Sequence, residues 1–310
     1  MTAVPPSSFF SESPDWGWLI VMYFFFGGLA GGSYVLGAMI DILGPREDRP
    51  LARLGYYIAF PSVVFSALLL IVDLGRPERF WHMLVQSNTY RPIFKYWSPI
   101  SVGAWALLIF GAFCLVSFLA ALVEDNRLAW PAGRRFRPPG LLASLVAAIG
   151  GLFGFFVAGY TGILLTVTNR PIWSDTPLLG MLFGVSAMSI SAALMILLAH
   201  RWGWTMPGLP ALHRFDAWVI ALEFIVLIAI MMSLGSLVQA WLNIWGVFLF
   251  FGVIVGGMLI PSAIYWRRRR PGADAMIAAM MLVLIGGFIL RMVIVFSGQG
   301  PLRSVMWNLR

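Results

Sequence analysis

Ten consecutive residues, Asp73-Leu74-Gly75-Arg76-Pro77-Glu78-Arg79-Phe80-Trp81-His82, gather two acids, two arginines and a histidine directly after the apolar run Ala67–Val72. Ionisable groups beside a hydrocarbon-length segment are costly unless they pair, reach water or meet a partner. Asp73 and His82 could exchange protons, and Arg76 and Arg79 could bind an anion or a partner protein; lipid-phosphate binding is the plain alternative for the arginines. Tyr23 and Tyr160 stand inside long apolar stretches, where a neutral phenol can hydrogen-bond a ligand without carrying charge. Asp216 and Glu223 lie seven residues apart, close to two helical turns, and so share one helix face. A carboxylate at such a place is a candidate for proton transfer, with a hydrogen bond to a neighbouring helix as its structural alternative.

The elements that must position these groups are membrane helices. Of 310 residues, 60% are hydrophobic and 11% charged; a soluble domain carries more than about twice that charge. Apolar segments long enough to span a bilayer, about 20 residues each, run over 17–43, 52–72, 98–123, 140–168, 178–199, 215–235, 241–265 and 275–297. Open sheets leave backbone groups unsatisfied in lipid, so the expectation is an all-α integral membrane protein of eight transmembrane helices. It forms one domain over 1–310, read as two four-helix bundles at about 17–168 and 178–297. The first fifteen residues hold no Lys or Arg and no cleavage pattern, so no signal peptide is expected.

Basic residues set the orientation. One side holds Arg46, Arg49, Arg53, Arg127, Arg134, Arg135, Arg137, Arg201, Arg214 and the stop-anchor run Arg267–Arg270; the other holds Arg76, Arg79, Arg91, Lys95, Arg170, Arg303 and Arg310. The richer side is read as cytoplasmic, which puts both termini and the Asp73 loop outside. That loop continues through Tyr90-Arg91-Pro92-Ile93-Phe94-Lys95-Tyr96-Trp97, dense in aromatic and basic residues, and reads as a docking or capping surface.

The first segment carries two overlapping Gly-x-x-x-Gly faces, Gly27/Gly31 and Gly28/Gly32, which admit a neighbouring helix or a flat ligand. Tyr23 falls about 9 Å into that helix, and Tyr160 about 12 Å below the end of the fourth, so both lie at comparable depth under the Asp73 side. Glu223 lies about 13 Å in from the cytoplasmic side. Arg291, in the eighth segment, is expected to snorkel outward. The three histidines, His82, His200 and His213, sit near segment ends rather than facing each other inside helices, and Cys114 is the single cysteine. Neither axial haem ligation nor a cysteine-held cluster is expected on this chain.

With these residues in view, the chain resembles the NrfD/PsrC family, the membrane subunits of polysulfide-reductase-type respiratory complexes. The matching stretches are Gly28-Leu29-Ala30-Gly31-Gly32, Asp73-Leu74-Gly75-Arg76-Pro77 and Asn169-Arg170-Pro171-Ile172-Trp173. The resemblance implies a haem-free quinone-binding protein of the prokaryotic cytoplasmic membrane. Its partners would be an extracytoplasmic ferredoxin-like iron–sulfur subunit and a molybdopterin catalytic subunit. It implies a quinone (menaquinone or ubiquinone) near the outer surface among the first helices, held by polar groups of helix one and the helix-four tyrosine. Tyr160 matches that tyrosine, and Tyr23 stands where some members have a histidine.

The site expected on this basis comprises Tyr23, Gly28, Tyr160, Asp73 and Arg76 at the quinone, with His82 and Asp73 exchanging protons outside. Arg76, Arg79, Arg91 and Lys95 are the docking residues, and Asp216 with Glu223 the candidate inward proton path. Two rivals stay open: a secondary transporter built on Glu223, and an anchor with no quinone of its own.

Overall fold

A computed structural model describes residues 16–137, 140–267 and 272–299; Arg268–Arg270, Arg303, Arg310 and the terminal segments lie outside the described residues. Among the described residues, eight helices are long and apolar enough to cross a membrane. They are α1 (Trp18–Leu43), α2 (Arg49–Asp73), α3 (Pro99–Glu124), α4 (Leu141–Thr166), α5 (Leu179–Arg201), α6 (Leu209–Leu234), α7 (Ile244–Tyr265) and α8 (Ala273–Ser297). Among the described residues the only extended pairing is an isolated bridge between Val85 and Pro92. The all-α membrane architecture expected from hydropathy is what the chain adopts.

Local chemistry sets the boundaries. Prolines open α2, α3 and α6 in their first turns, where the missing N–H costs nothing. The Ser98 hydroxyl caps α3 by accepting from the Ser101 N–H. Helix α6 begins at Leu209, six residues ahead of the apolar run read from hydropathy, with Pro210 in its first turn, so His213 is helical as well. Helix α7 departs from regular geometry: Phe248–Leu259 is π-helical, flanked by α-helical Ile244–Val247 and Ile260–Arg267. Gly257 there faces Gly286 of α8 so closely that a methyl group on Gly257 would lie 2.9 Å from the Gly286 Cα.

Helices α1 and α5 form the centre. A methyl group on Gly31 would run into the Gly154 carbonyl of α4, and one on Gly32 into the Ala187 carbonyl of α5, so both helices approach α1 backbone to backbone. Helix α5 also packs on α4, α6 and α8, and α1 reaches α8, so packing is continuous across the connection between α4 and α5.

The two ends differ in chemistry. At the end carrying Asp73, the connection from α2 to α3 forms a 3-10 turn over Pro77–Met83 and is held to α3 by the Trp105 Nε1–H, which donates to the Ile93 carbonyl (2.7 Å). The α4–α5 connection turns inward there: Ile172 takes a left-handed φ of 72°, and Trp173 is fully buried. Trp173 donates from Nε1 to the Ile294 carbonyl of α8 (2.7 Å) and stacks on Trp16. At the opposite end, Arg137 pairs with both Asp41 and Glu124, while Arg53 pairs with Glu124 (3.0 Å) and Asp125 (2.9 Å). Burial opposes the charge on Arg137, but Asp41 and Glu124 outweigh it and hold its pKa above the usual arginine value. Several of the arginines that set the orientation therefore also tie helices together.

Candidate functional site

Around Gly27, three helices bring polar groups into one place. A methyl group on Gly27 would lie 3.7 Å from Thr161 Cγ2, 3.8 Å from the Tyr23 ring and 3.9 Å from Ser66 Oγ. Tyr23 and Tyr160 are 3% and 6% exposed, and Thr161, the residue after Tyr160, comes with Tyr23 to the same glycine. The expected meeting of α1 and α4 is present in the fold.

The hydrogen bonds distinguish the members. Tyr160 donates its hydroxyl to the Pro99 carbonyl at the start of α3 (2.6 Å), and its ring stacks on Phe156 (centroids 5.6 Å apart). Gly103 of α3 lies against that ring, where any methyl group would overlap it. Thr161 and Ser66 donate to carbonyls of their own helices, Ala158 and Val63. The Tyr23 hydroxyl makes no hydrogen bond among the described residues. The Tyr23 hydroxyl is therefore a donor without a partner among the described residues, and the Tyr160 oxygen keeps its accepting lone pairs.

Gly28 is on the other side of α1. The space above it is taken by the Arg291 guanidinium and the Ala187 side chain, so Gly28 makes room for Arg291, and the glycine beside Tyr23 is Gly27. An apolar groove of about 460 Å³ opens between α2 and α3, lined by Val63, Ala67, Leu70 and Leu107 and covered by Phe80 and Leu84 of the connection above. Its wall adjoins the tyrosines through α3, where Gly103 touches Tyr160 and the next residue, Ala104, faces the groove.

The Asp73 cluster lies at the rim rather than in this pocket. Asp73, Arg76, Glu78, Arg79, Arg91 and Lys95 are all exposed, and among the described residues none of them is in an ion pair. His82 is half-buried against the Trp81 ring (3.9 Å), and no hydrogen bond joins Asp73 or His82 to either tyrosine. Beside these charges stand Tyr90, Tyr96 and Trp97, at 76%, 76% and 67% exposure. The result is an aromatic and basic surface across the end of the first helices.

A second polar centre lies among α5, α6, α7 and α8. Asp216, fully buried, accepts from Ser189 (3.0 Å) and Tyr265 (2.8 Å). Glu223, on the same face of α6, is also buried. Arg291 does not snorkel: it is fully buried and donates to the Phe24 carbonyl, the Gly287 carbonyl and Ser186 Oγ. The Phe25 and Phe183 rings flank its guanidinium, which gives a buried cation favourable faces as well as hydrogen bonds. Ser186, Ser189 and Tyr265 were not singled out by composition; the sequence signal for the serines was the run Ser186, Ser189 and Ser191 in a largely apolar helix. Among the described residues, no group of three or more His, Cys, Asp and Glu side chains is placed to hold a metal ion.

Comparison with known proteins agrees with this architecture. The chain is 27% identical to protein NrfD of Escherichia coli (strain K12) over 320 residues, covering 94% of this chain and 98% of that protein. It is 27% identical to a polysulfide reductase chain of Wolinella succinogenes over 312 residues, covering 92% of this chain and 94% of that one. A shorter likeness, 33% over 102 residues, links it to a selenate reductase subunit of Mesobacillus selenatarsenatis, covering 33% of this chain and 22% of that protein. The family profile described as polysulphide reductase, NrfD, matches residues 7–302, and so the chain belongs to the NrfD family.

Proposed function

We propose that this protein is the haem-free, quinone-binding membrane subunit of an oxidoreductase complex in a prokaryotic cytoplasmic membrane, with its Asp73 end facing outward. It exchanges electrons between the membrane quinone pool and an extracytoplasmic iron–sulfur subunit, which in turn serves a molybdopterin catalytic subunit. Two of the relatives are named as parts of reductases, one of polysulfide and one of selenate, and this supports an assembly of this kind. The observation that carries the quinone reading is the buried Tyr23 side chain on α1, whose hydroxyl has no partner among the described residues, close to Thr161 and Tyr160 of α4 and an apolar groove beyond α3.

A quinone suits these residues. It is flat, has two carbonyl oxygens and an apolar tail, and when bound supplies two-electron, two-proton chemistry. The Tyr23 hydroxyl donates to one carbonyl oxygen. Tyr160, whose proton is committed to Pro99, accepts from the hydroxyl of the reduced form. The α2–α3 groove takes the first units of the tail, in the usual manner of largely apolar ligand sites. Asp73 and His82, at the rim, exchange protons with outside water, and Arg76, Arg79, Arg91 and Lys95 with Tyr90, Tyr96 and Trp97 dock an acidic face of the iron–sulfur partner.

The test is a photoreactive quinone added to the purified complex, with the labelled peptides identified by mass spectrometry. Label is expected on the peptides holding Tyr23, Tyr160 or the α2–α3 groove, and excess natural quinone should displace it. Displaceable label confined to α5–α8 would remove this site from consideration.

A further inference from the structure

At the Arg137 end of the fold, the turn from α5 into α6 brings His200 and His213 together. Gly203, at a left-handed φ of 68°, closes α5 with a Schellman motif. Its N–H donates to the His200 carbonyl (3.1 Å), and the Trp204 N–H donates to the Ala199 carbonyl (2.9 Å). Helix α6 is fixed separately. The Gly208 N–H just ahead of it donates to Asp48 of the α1–α2 connection (2.7 Å), and Pro210 stands in its first turn. His200, one residue before the end of α5, and His213, the fifth residue of α6, therefore project from two anchored helix ends.

Their Nε2 atoms are 3.2 Å apart and their ring centroids 5.2 Å, so the rings meet tip to tip rather than face to face. Two imidazoles that share a tetrahedral metal ion, with metal–nitrogen bonds of about 2.0–2.1 Å, hold their nitrogens about 3.3 Å apart. The pair thus has the separation of a two-histidine metal site, and both side chains are half-buried rather than sealed in the core. Without an ion, one ring donates its Nε2–H to the other, which fixes opposite tautomers. When an ion binds, the donor ring moves that proton to its Nδ1 through solvent, and both Nε2 lone pairs go to the metal. The neutral pair neither gains nor loses a proton.

The surroundings select the ion. No third His, Cys, Asp or Glu joins the pair among the described residues, so water fills the remaining positions. His213 Nδ1 is buried and has no hydrogen-bond partner there; the ring is steadied instead by the edge of the Tyr265 ring (centroids 5.9 Å apart). Resident metal sites have a fuller ligand set and a partner behind each imidazole, so an ion held here exchanges readily. Imidazoles without a carboxylate favour Cu2+, Ni2+ and Zn2+ over Mg2+ and Ca2+.

We propose that His200 and His213 form an exchangeable site for a transition-metal dication of the Zn2+, Ni2+ and Cu2+ class, which clasps the end of α5 to α6. Helices α1, α4, α6 and α8 all pack on α5, so the ion ties the centre of the fold to its neighbour. The site is independent of the quinone reading and needs neither turnover nor a partner subunit.

The test uses the full chain, purified in detergent through a tag without histidines and freed of metal with a chelator. Zn2+ at about 100 µM should raise the Tm by about 2–4 °C, the shift for an ion at roughly ten times its Kd. Mg2+ at the same concentration should leave the Tm unchanged. Substoichiometric Cu2+ should give an electron paramagnetic resonance spectrum split by two imidazole nitrogens. His200→Gln and His213→Gln should each abolish the Zn2+ shift and remove the two-nitrogen pattern. If one variant does not fold, the other carries the comparison, and the wild-type Cu2+ spectrum needs neither. A wild-type protein with no Zn2+ shift and no two-nitrogen spectrum overturns the site. So does a Zn2+ shift that survives both substitutions, or an equal rise with Mg2+.

Discussion

The two tyrosines make one prediction in which stability and activity separate. Tyr23→Phe removes a hydroxyl that bonds nothing among the described residues, whereas Tyr160→Phe removes the donor to the Pro99 carbonyl at 2.6 Å. A neutral hydrogen bond contributes about 1 kcal/mol net. Tyr160→Phe should therefore lower the Tm of the detergent-purified protein by about 2–4 °C, and Tyr23→Phe should leave it within about 1 °C of wild type. Activity should show the reverse order. If the Tyr23 hydroxyl donates to the quinone, its loss costs about 1–1.5 kcal/mol of ligand binding, so quinone-linked turnover at low quinone should fall about 5–10-fold. Tyr160→Phe should reduce turnover less. Both should keep the partner's activity with artificial dyes. The assay pairs a thermal melt with turnover at several quinone concentrations. A Tyr23→Phe protein that melts early yet turns over quinone at the wild-type rate would refute the assignment, because its hydroxyl would then be structural.

Further tests address the frame around that site. Gly103→Val should push the Tyr160 ring away from α3 and lower both Tm and quinone turnover, and a crystal or cryo-EM structure of the variant with Tyr160 unmoved would count against this packing. Arg137→Gln takes from Asp41 its ion-pair partner, while Glu124 keeps Arg53, and should destabilise the fold by about 3–5 kcal/mol in denaturant titrations, whereas a loss under about 1 kcal/mol would show the network to be dispensable. Trp173→Phe keeps a ring but loses the bond to Ile294, and should loosen α8, read as faster hydrogen exchange in 290–297. The dithionite-reduced spectrum of the isolated chain should lack a cytochrome b band, since its three histidines stand near helix ends and not within the facing interiors of helices.

Hydropathy made the eight spans legible because lipid leaves the backbone few options, and the seven-residue spacing put Asp216 and Glu223 on one face before any coordinates. The depth argument set Tyr23 and Tyr160 at a comparable level because helices of known rise start from a common surface. What stayed hidden depended on rotation about helix axes and on partners far along the chain. Whether Gly27 or Gly28 faces Tyr160 is a matter of one helical step of about 100°, which glycine spacing alone leaves open. Arg291 read as a snorkelling residue because its partners, Phe24 and Ser186, are 267 and 105 residues away. The π-helical stretch of α7 has no periodicity that distinguishes it from an ordinary apolar helix, and its glycines acquire meaning only opposite Gly286.

The anchoring of Trp173 and Phe24 by α8 has a consequence for biogenesis. The Trp173–Ile294 contact closes over 121 residues and the Phe24–Arg291 contact over 267. At a synthesis rate of roughly 5–20 residues per second, α1 waits about 13–50 s in the membrane for the arginine that will dock on it. During that interval Gly28, Ser186 and the inward-turning α4–α5 connection face lipid or an insertion chaperone. Arg291 must then enter the bilayer inside the last helix and find its acceptors at once, since a cation left in hydrocarbon is costly. Completion of the chain is thus the step that supplies the last partner of its earliest helix.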